Sequence, residues 1–142
     1  MDIAYSLYKL IIIVGLPCSG KTTLAMEINS CNNIKLFDDF ISSFCNGKLV
    51  QALNDPLQKI CINDPRLCDI NTFKRYFIAI KNIVNENDIG VILIKPNINE
   101  CLERNIIRNQ IYNNKDVEFD IIKLSKIYNV QNYKNYVNVF IK

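Results

Sequence analysis

Residues 10–22 read LIIIVGLPCSGKT: an apolar run, Leu10–Val14, then at once a window holding two of the chain's four glycines with Pro17, Ser19, Lys21 and Thr22. The run is short and uniformly apolar, as expected of a strand buried on both faces. The window matches G-x-x-x-x-G-K-[ST], a loop whose backbone N–H groups wrap a polyphosphate. Gly15 and Gly20 permit backbone angles that a side chain forbids, so successive N–H groups can converge on phosphate oxygens at the start of a helix. The residues that follow, KTTLAMEI, read as that helix. In this setting Lys21 reaches the β- and γ-phosphates, and Thr22 ligates the Mg²⁺ that bridges them.

Further short apolar runs lie at 34–37, 59–62, 90–94 and 137–141, each bounded by turn residues. Helical patterns fill the gaps: 20–29; 40–53 with a break at Asn46-Gly47; and 71–86, where Phe73, Phe77, Ile80 and Val84 recur at helical steps. A fourth helix opens with Asn97 and Glu100 at capping-box spacing and carries Ile98, Leu102 and Ile106 on one face, and a fifth spans 117–128. Residues 109–116 are polar and aperiodic and read as a loop. Strands alternating with helices, without hairpin signals, predict a single α/β domain with a five-stranded parallel sheet covered by helices on both faces.

Composition narrows the chemistry. At 142 residues and 49% hydrophobic content the chain is one domain with a substantial core. The net charge of +3 comes from scattered lysines, which read as a solvated surface and only permit a nucleic-acid partner. Histidine is absent, so histidine triads and histidine metal sites are excluded, and a general base must be a carboxylate, cysteine or lysine. The six cysteines, at 18, 31, 45, 61, 68 and 101, form no C-x-x-C pair and read as small buried thiols in a reducing, cytoplasmic setting. No apolar run is long enough to span a bilayer, so no membrane partner is expected. The abundance of Asn, Ile, Lys and Tyr suggests an AT-rich coding genome, and lone asparagines therefore carry little weight.

A guanine-specific switch protein would carry D-x-x-G and N-K-x-D, and neither occurs. Instead, LFDDF puts Asp38 and Asp39 at the carboxyl end of the second strand, where open parallel sheets gather ligands. Either acid could take a proton from an attacking hydroxyl, and Asp39 equally suits a helix N-cap. ICINDP closes the third strand with Asp64, placed as a second-shell Mg²⁺ acid or as the start of an Asp-Pro turn. Arg104 and Arg108 stand i, i+4 in CLERNIIRN, so both guanidinium groups share one helix face and can aim at one anion. A solvated face paired with Glu100 and Glu103 is the alternative.

GLPCSGKTTLAMEI, LFDDF, ICINDPRL and CLERNIIRN, in that order and spacing, resemble the P-loop kinases that phosphorylate hydroxyl groups, most closely the polynucleotide 5′-kinase branch. The resemblance covers nearly the whole chain and implies a single-domain P-loop NTPase using ATP and Mg²⁺. It makes Gly15, Pro17, Cys18, Ser19, Gly20, Lys21, Thr22 and Thr23 the nucleotide-binding residues, Asp38 the base, Asp64 the acid on the Mg²⁺ side, and Arg104 and Arg108 lid arginines. Asp39 falls on the acceptor side. The acceptor is a nucleic acid or, by similarity to nucleoside and nicotinamide-riboside kinases through GKTTLA and DDF, a small molecule. A nucleotide-binding module without catalysis is the further alternative. Polynucleotide kinases often follow the acid pair with an aromatic and an arginine that grips acceptor phosphate; here Ile41 stands after Phe40. Arg66 could substitute, with Asp69 the nearest acid expected to occupy it.

Overall fold

The computed structural model describes residues 4–113 and 115–142. Five strands, β1 (Leu10–Val14), β2 (Lys35–Asp38), β3 (Ile60–Asn63), β4 (Ile89–Leu93) and β5 (Val139–Ile141), form one sheet in the order β2-β3-β1-β4-β5. Each pairing is parallel. The helices are α1 (Lys21–Asn32), α2 (Phe40–Cys45), α3 (Lys48–Leu53), α4 (Ile70–Lys81), α5 (Ile98–Tyr112) and α6 (Glu118–Ser125).

β1 is buried along its whole length because it lies mid-sheet with apolar layers on both sides. Ile11 and Ile13 pack against Leu24, Ala25 and Ile28 of α1. Leu10, Ile12 and Val14 face the larger core, with Phe40, Leu49, Phe73, Phe77 and Tyr133. Fully burying each such side chain contributes about 1.5–3 kcal/mol, so an unbroken run here stabilises both layers at once. Gly47, at φ +82, separates α2 from α3 where the sequence places a break.

Several boundaries differ from the sequence reading. β2, β3 and β4 are displaced by one residue from their expected bounds, which makes Asp38 and Asn63 strand-terminal residues. The third pattern does not stay helical to residue 86: α4 ends at Lys81, and a short 3₁₀ turn follows at Glu86–Asp88. Val84 still packs in the core, delivered by a turn in which the N–H groups of Ile83 and Val84 both donate to the Ile80 carbonyl. α5 runs into the expected loop as far as Tyr112 and ends on Asn113 in the left-handed region, a common helix stop. Its buried residues are Cys101 and Asn105, whereas Ile106 is exposed. α6 is shorter than 117–128; Val117 precedes it, and Tyr128 follows it as a buried side chain whose hydroxyl donates to the Ile94 carbonyl at 2.8 Å. Asn114, inside the expected loop, lies outside the described residues, as does the side chain of Cys31.

Candidate active site

Of the two loop glycines only Gly20 takes the backbone angle expected of it; Gly15 does not have positive φ and is needed for want of space. A Cβ on Gly15 would lie 2.6 Å from the Ser19 Oγ and 3.2 Å from the Ile94 Cβ, so no larger residue fits without displacement. Gly20, the N-cap of α1, has φ +96, a region that L side chains rarely adopt. Cys18 also has positive φ, at 63°, a strained position between the two glycines. Lys21 folds back over the loop: its Nζ donates to the Leu16 carbonyl at 2.7 Å, and the side chain is buried. That burial pushes its pKa below the ordinary lysine value, against the opposing pull of groups that include the Asp38 carboxylate.

Two guanidinium groups come down on this loop from α5. The Arg104 Nη1 donates to the Cys18 carbonyl at 3.2 Å, and its Nη2 pairs with Glu100. The Arg108 Nη1 lies 3.4 Å from the Cys18 Sγ. Both arginines therefore meet the loop rather than standing on a purely solvated face. Asn105, between them, ties the middle of this helix to the segment that leads into α6. Its Nδ2 donates to Asp116 at 2.9 Å and its Oδ1 accepts from the Val117 N–H at 3.1 Å. The sequence reading gives Asn105 no role, although it is the asparagine of the R-N-x-x-R stretch.

Loop, arginines and acids line one cleft of about 1230 Å³, which includes Pro17, Cys18, Ser19, Gly20, Lys21, Thr22 and Thr23, and Asp38, Asp39, Arg104 and Arg108. Pockets for drug-sized ligands run to about 1,000 Å³, so a nucleotide and an acceptor can share this one. Asp38 ends β2 in register with Asn63 of β3, which is in register with Ile13 of β1. Side chains alternate along each strand, and Leu36 and Cys61 face the α1 layer, so Asp38 and Asn63 lie side by side on that same face. Asp39 occupies the N-cap of α2 at φ 48 but makes no side-chain cap bond. Burial first, then the neighbouring Asp38 and Asp64 carboxylates, raises its pKa above the ordinary value.

Asp64 and Arg66 stand differently from their expected roles. Asp64 is fully buried, and both its oxygens accept from Arg66: Oδ1 from Nε at 2.9 Å and Oδ2 from Nη2 at 2.7 Å. Arg66 is thus occupied by Asp64, not by Asp69, which caps α4 through the Asn71 N–H. The cause is local: Pro65 starts a 3₁₀ turn capped by Asp64, and one turn brings the guanidinium back over its own cap. Arg66 remains half exposed and lines the cleft, while the residue of β3 that does so is Asn63, which the sequence reading passed over. Ile41 packs in the core and offers an acceptor nothing.

No group of three or more Cys, Asp or Glu side chains arranged to hold a metal occurs among the described residues. The donors near the loop, the Thr22 hydroxyl and the Asp38 carboxylate, are hard oxygens and few, a set that suits Mg²⁺, which keeps most of its waters. Burial pushes the Cys61 and Cys68 thiols up to about 12, so neither serves as a thiolate. No helix among the described residues is long and apolar enough to cross a membrane.

No known family model matches the chain. Its fold is similar to the crystal structure of a gluconokinase from Sinorhizobium meliloti 1021, with a TM-score of 0.61 over 92% of this chain and 79% of that one. The two are 9% identical, so the likeness is one of fold: an α/β architecture built on one five-stranded parallel sheet. A protein of Acanthamoeba polyphaga mimivirus is 37% identical over 129 residues, covering 90% of this chain and 91% of that protein. The chain belongs to the family of that mimivirus protein, described as "Uncharacterized protein R277".

Proposed function

We propose that this protein moves the γ-phosphoryl of Mg·ATP to an acceptor hydroxyl, with a polynucleotide 5′-hydroxyl as the acceptor. The observation that carries the reading is the meeting of Arg104 and Arg108 with the phosphate-type loop at Cys18, in a cleft that Asp38 also lines. Loop N–H groups and Lys21 hold the β- and γ-phosphates. Thr22 would hold Mg²⁺, which neutralises charge on the β- and γ-oxygens when bound. Asp38 accepts the proton of the attacking hydroxyl, and the two arginines stabilise charge on the transferring group. A cytoplasmic setting is part of the proposal, supported by the free thiols at Cys18, Cys45, Cys61, Cys68 and Cys101.

Sheet order supports the division of the cleft. The loop follows the central strand, so Asp38, Asp39 and Arg66 lie on the β2–β3 side, and α5 and α6 follow β4 on the other. The acceptor therefore enters beside β2. There Arg66 is held rigid by Asp64 with Nη1 uncommitted to that pair, a device that suits an acceptor phosphate.

The test uses ATP labelled at the γ-position with a short single-stranded oligonucleotide, free nucleosides, nicotinamide riboside and gluconate as competing acceptors. The expected result is labelling of the oligonucleotide 5′-end, falling steeply with added salt as phosphate contacts are screened. Preferential labelling of a small molecule, with a flat salt response, would move the assignment to a small-molecule kinase. ATP binding without transfer to any acceptor would leave a nucleotide-binding module.

A further inference from the structure

Asn63 is 1% exposed at the end of β3, lines the cleft, and has no hydrogen-bond partner at either Oδ1 or Nδ2. A buried carboxamide with neither end paired forfeits its bonds to water without replacement, and folded proteins rarely retain one. Here it stands in register with Asp38, on the same face of the sheet, one strand closer to the loop. Neighbouring strands are about 4.8 Å apart, so a single small group between these two side chains can touch both.

We propose that Asn63 makes the second contact to the acceptor hydroxyl, beside Asp38; the inference rests on the phosphotransfer reading of this cleft. A hydroxyl has one O–H donor and two lone pairs. The O–H donates to the Asp38 carboxylate, and one lone pair accepts from the Asn63 Nδ2. That leaves the other lone pair to attack the γ-phosphorus in line. The new bond is acceptor O to Pγ, the broken one is Pγ to the β,γ-bridging oxygen, the proton goes to Asp38, and ADP leaves. Asn63 thereby fixes the rotation of the hydroxyl, which a single contact to Asp38 leaves free.

Asn63→Leu keeps the volume and removes both polar atoms. In the ligand-free protein it should raise Tm by about 2–4 °C, because an unpaired buried amide is lost. ATP affinity by calorimetry should stay within about twofold, while kcat/KM for a 5′-hydroxyl oligonucleotide falls about tenfold or more. Asn63→Asp, which accepts but cannot donate, should be as slow. A lower Tm for Asn63→Leu would show that the amide serves the fold, and full activity of Asn63→Asp would show that a donor is not needed; either overturns the proposal. So would weakened ATP binding with an unaltered oligonucleotide KM. If the wild-type protein labels no oligonucleotide, the phosphotransfer reading fails for that acceptor. The Tm comparison then decides alone whether Asn63 is held for a ligand.

Discussion

Asp39 combines two unfavourable features: a left-handed backbone at φ 48, and a carboxylate beside Asp38 and Asp64. Its pKa is raised, so ionisation is disfavoured in the folded chain. The stability linked to this group is fully present below the ordinary Asp pKa of 3.8 and is lost as pH rises through the folded value. Asparagine tolerates the left-handed region well and carries no charge. Asp39→Asn should therefore raise Tm at neutral pH by about 1–3 °C, with the gain shrinking in acid below the carboxylate range to the part the backbone contributes. A thermal melt series across pH checks this, and a gain independent of pH would assign the effect to backbone geometry alone. The acids at 38 and 39 were legible as residues because strand ends attract ligands, but Asn63 was not. In a chain so rich in asparagine, one more carries no compositional signal; only burial without partners distinguishes it.

The join between α5 and α6 braces the helix that carries the two arginines. Asn105 is buried and ties α5 to Asp116 and to the Val117 N–H at the start of α6. Asn105→Ala leaves that N–H unpaired and should cost about 1–3 kcal/mol, read as a lower denaturation midpoint. The Asp116 carboxyl is held below its ordinary pKa first by the Asn105 amide and then by the Glu118 N–H. It should titrate higher in the variant, as NMR can follow. An unchanged midpoint would mean that the join is carried by apolar packing. The same two helices show what periodicity can and cannot give. It located α4 through Phe73, Phe77 and Ile80, then overran, because Val84 continues the spacing although a turn delivers it. In α5 the aperiodic residues 109–112 are helical, since a last turn that is largely exposed needs little apolar pattern.

For the whole molecule, the order β2-β3-β1-β4-β5 brings the loop, the β2 acid and the α5 arginines to one cleft, although they are separated by long stretches of chain. Alternation of strands and helices made the class of sheet legible from sequence, and the loop motif marked which strand end carries the phosphate-type loop. Strand order within the sheet, and the pairing that occupies Arg66 with Asp64, depend on tertiary geometry that no local pattern encodes. On the proposed mechanism, Asp38 activates a hydroxyl next to bound ATP. The decisive comparison is of the wild-type protein with Asp38→Asn, for ATP affinity by calorimetry and for transfer of labelled γ-phosphate to a 5′-hydroxyl oligonucleotide in Mg²⁺. ATP affinity should stay within a few-fold and transfer should slow by about 10² to 10⁴; equal transfer rates in the two proteins would exclude Asp38 as the base.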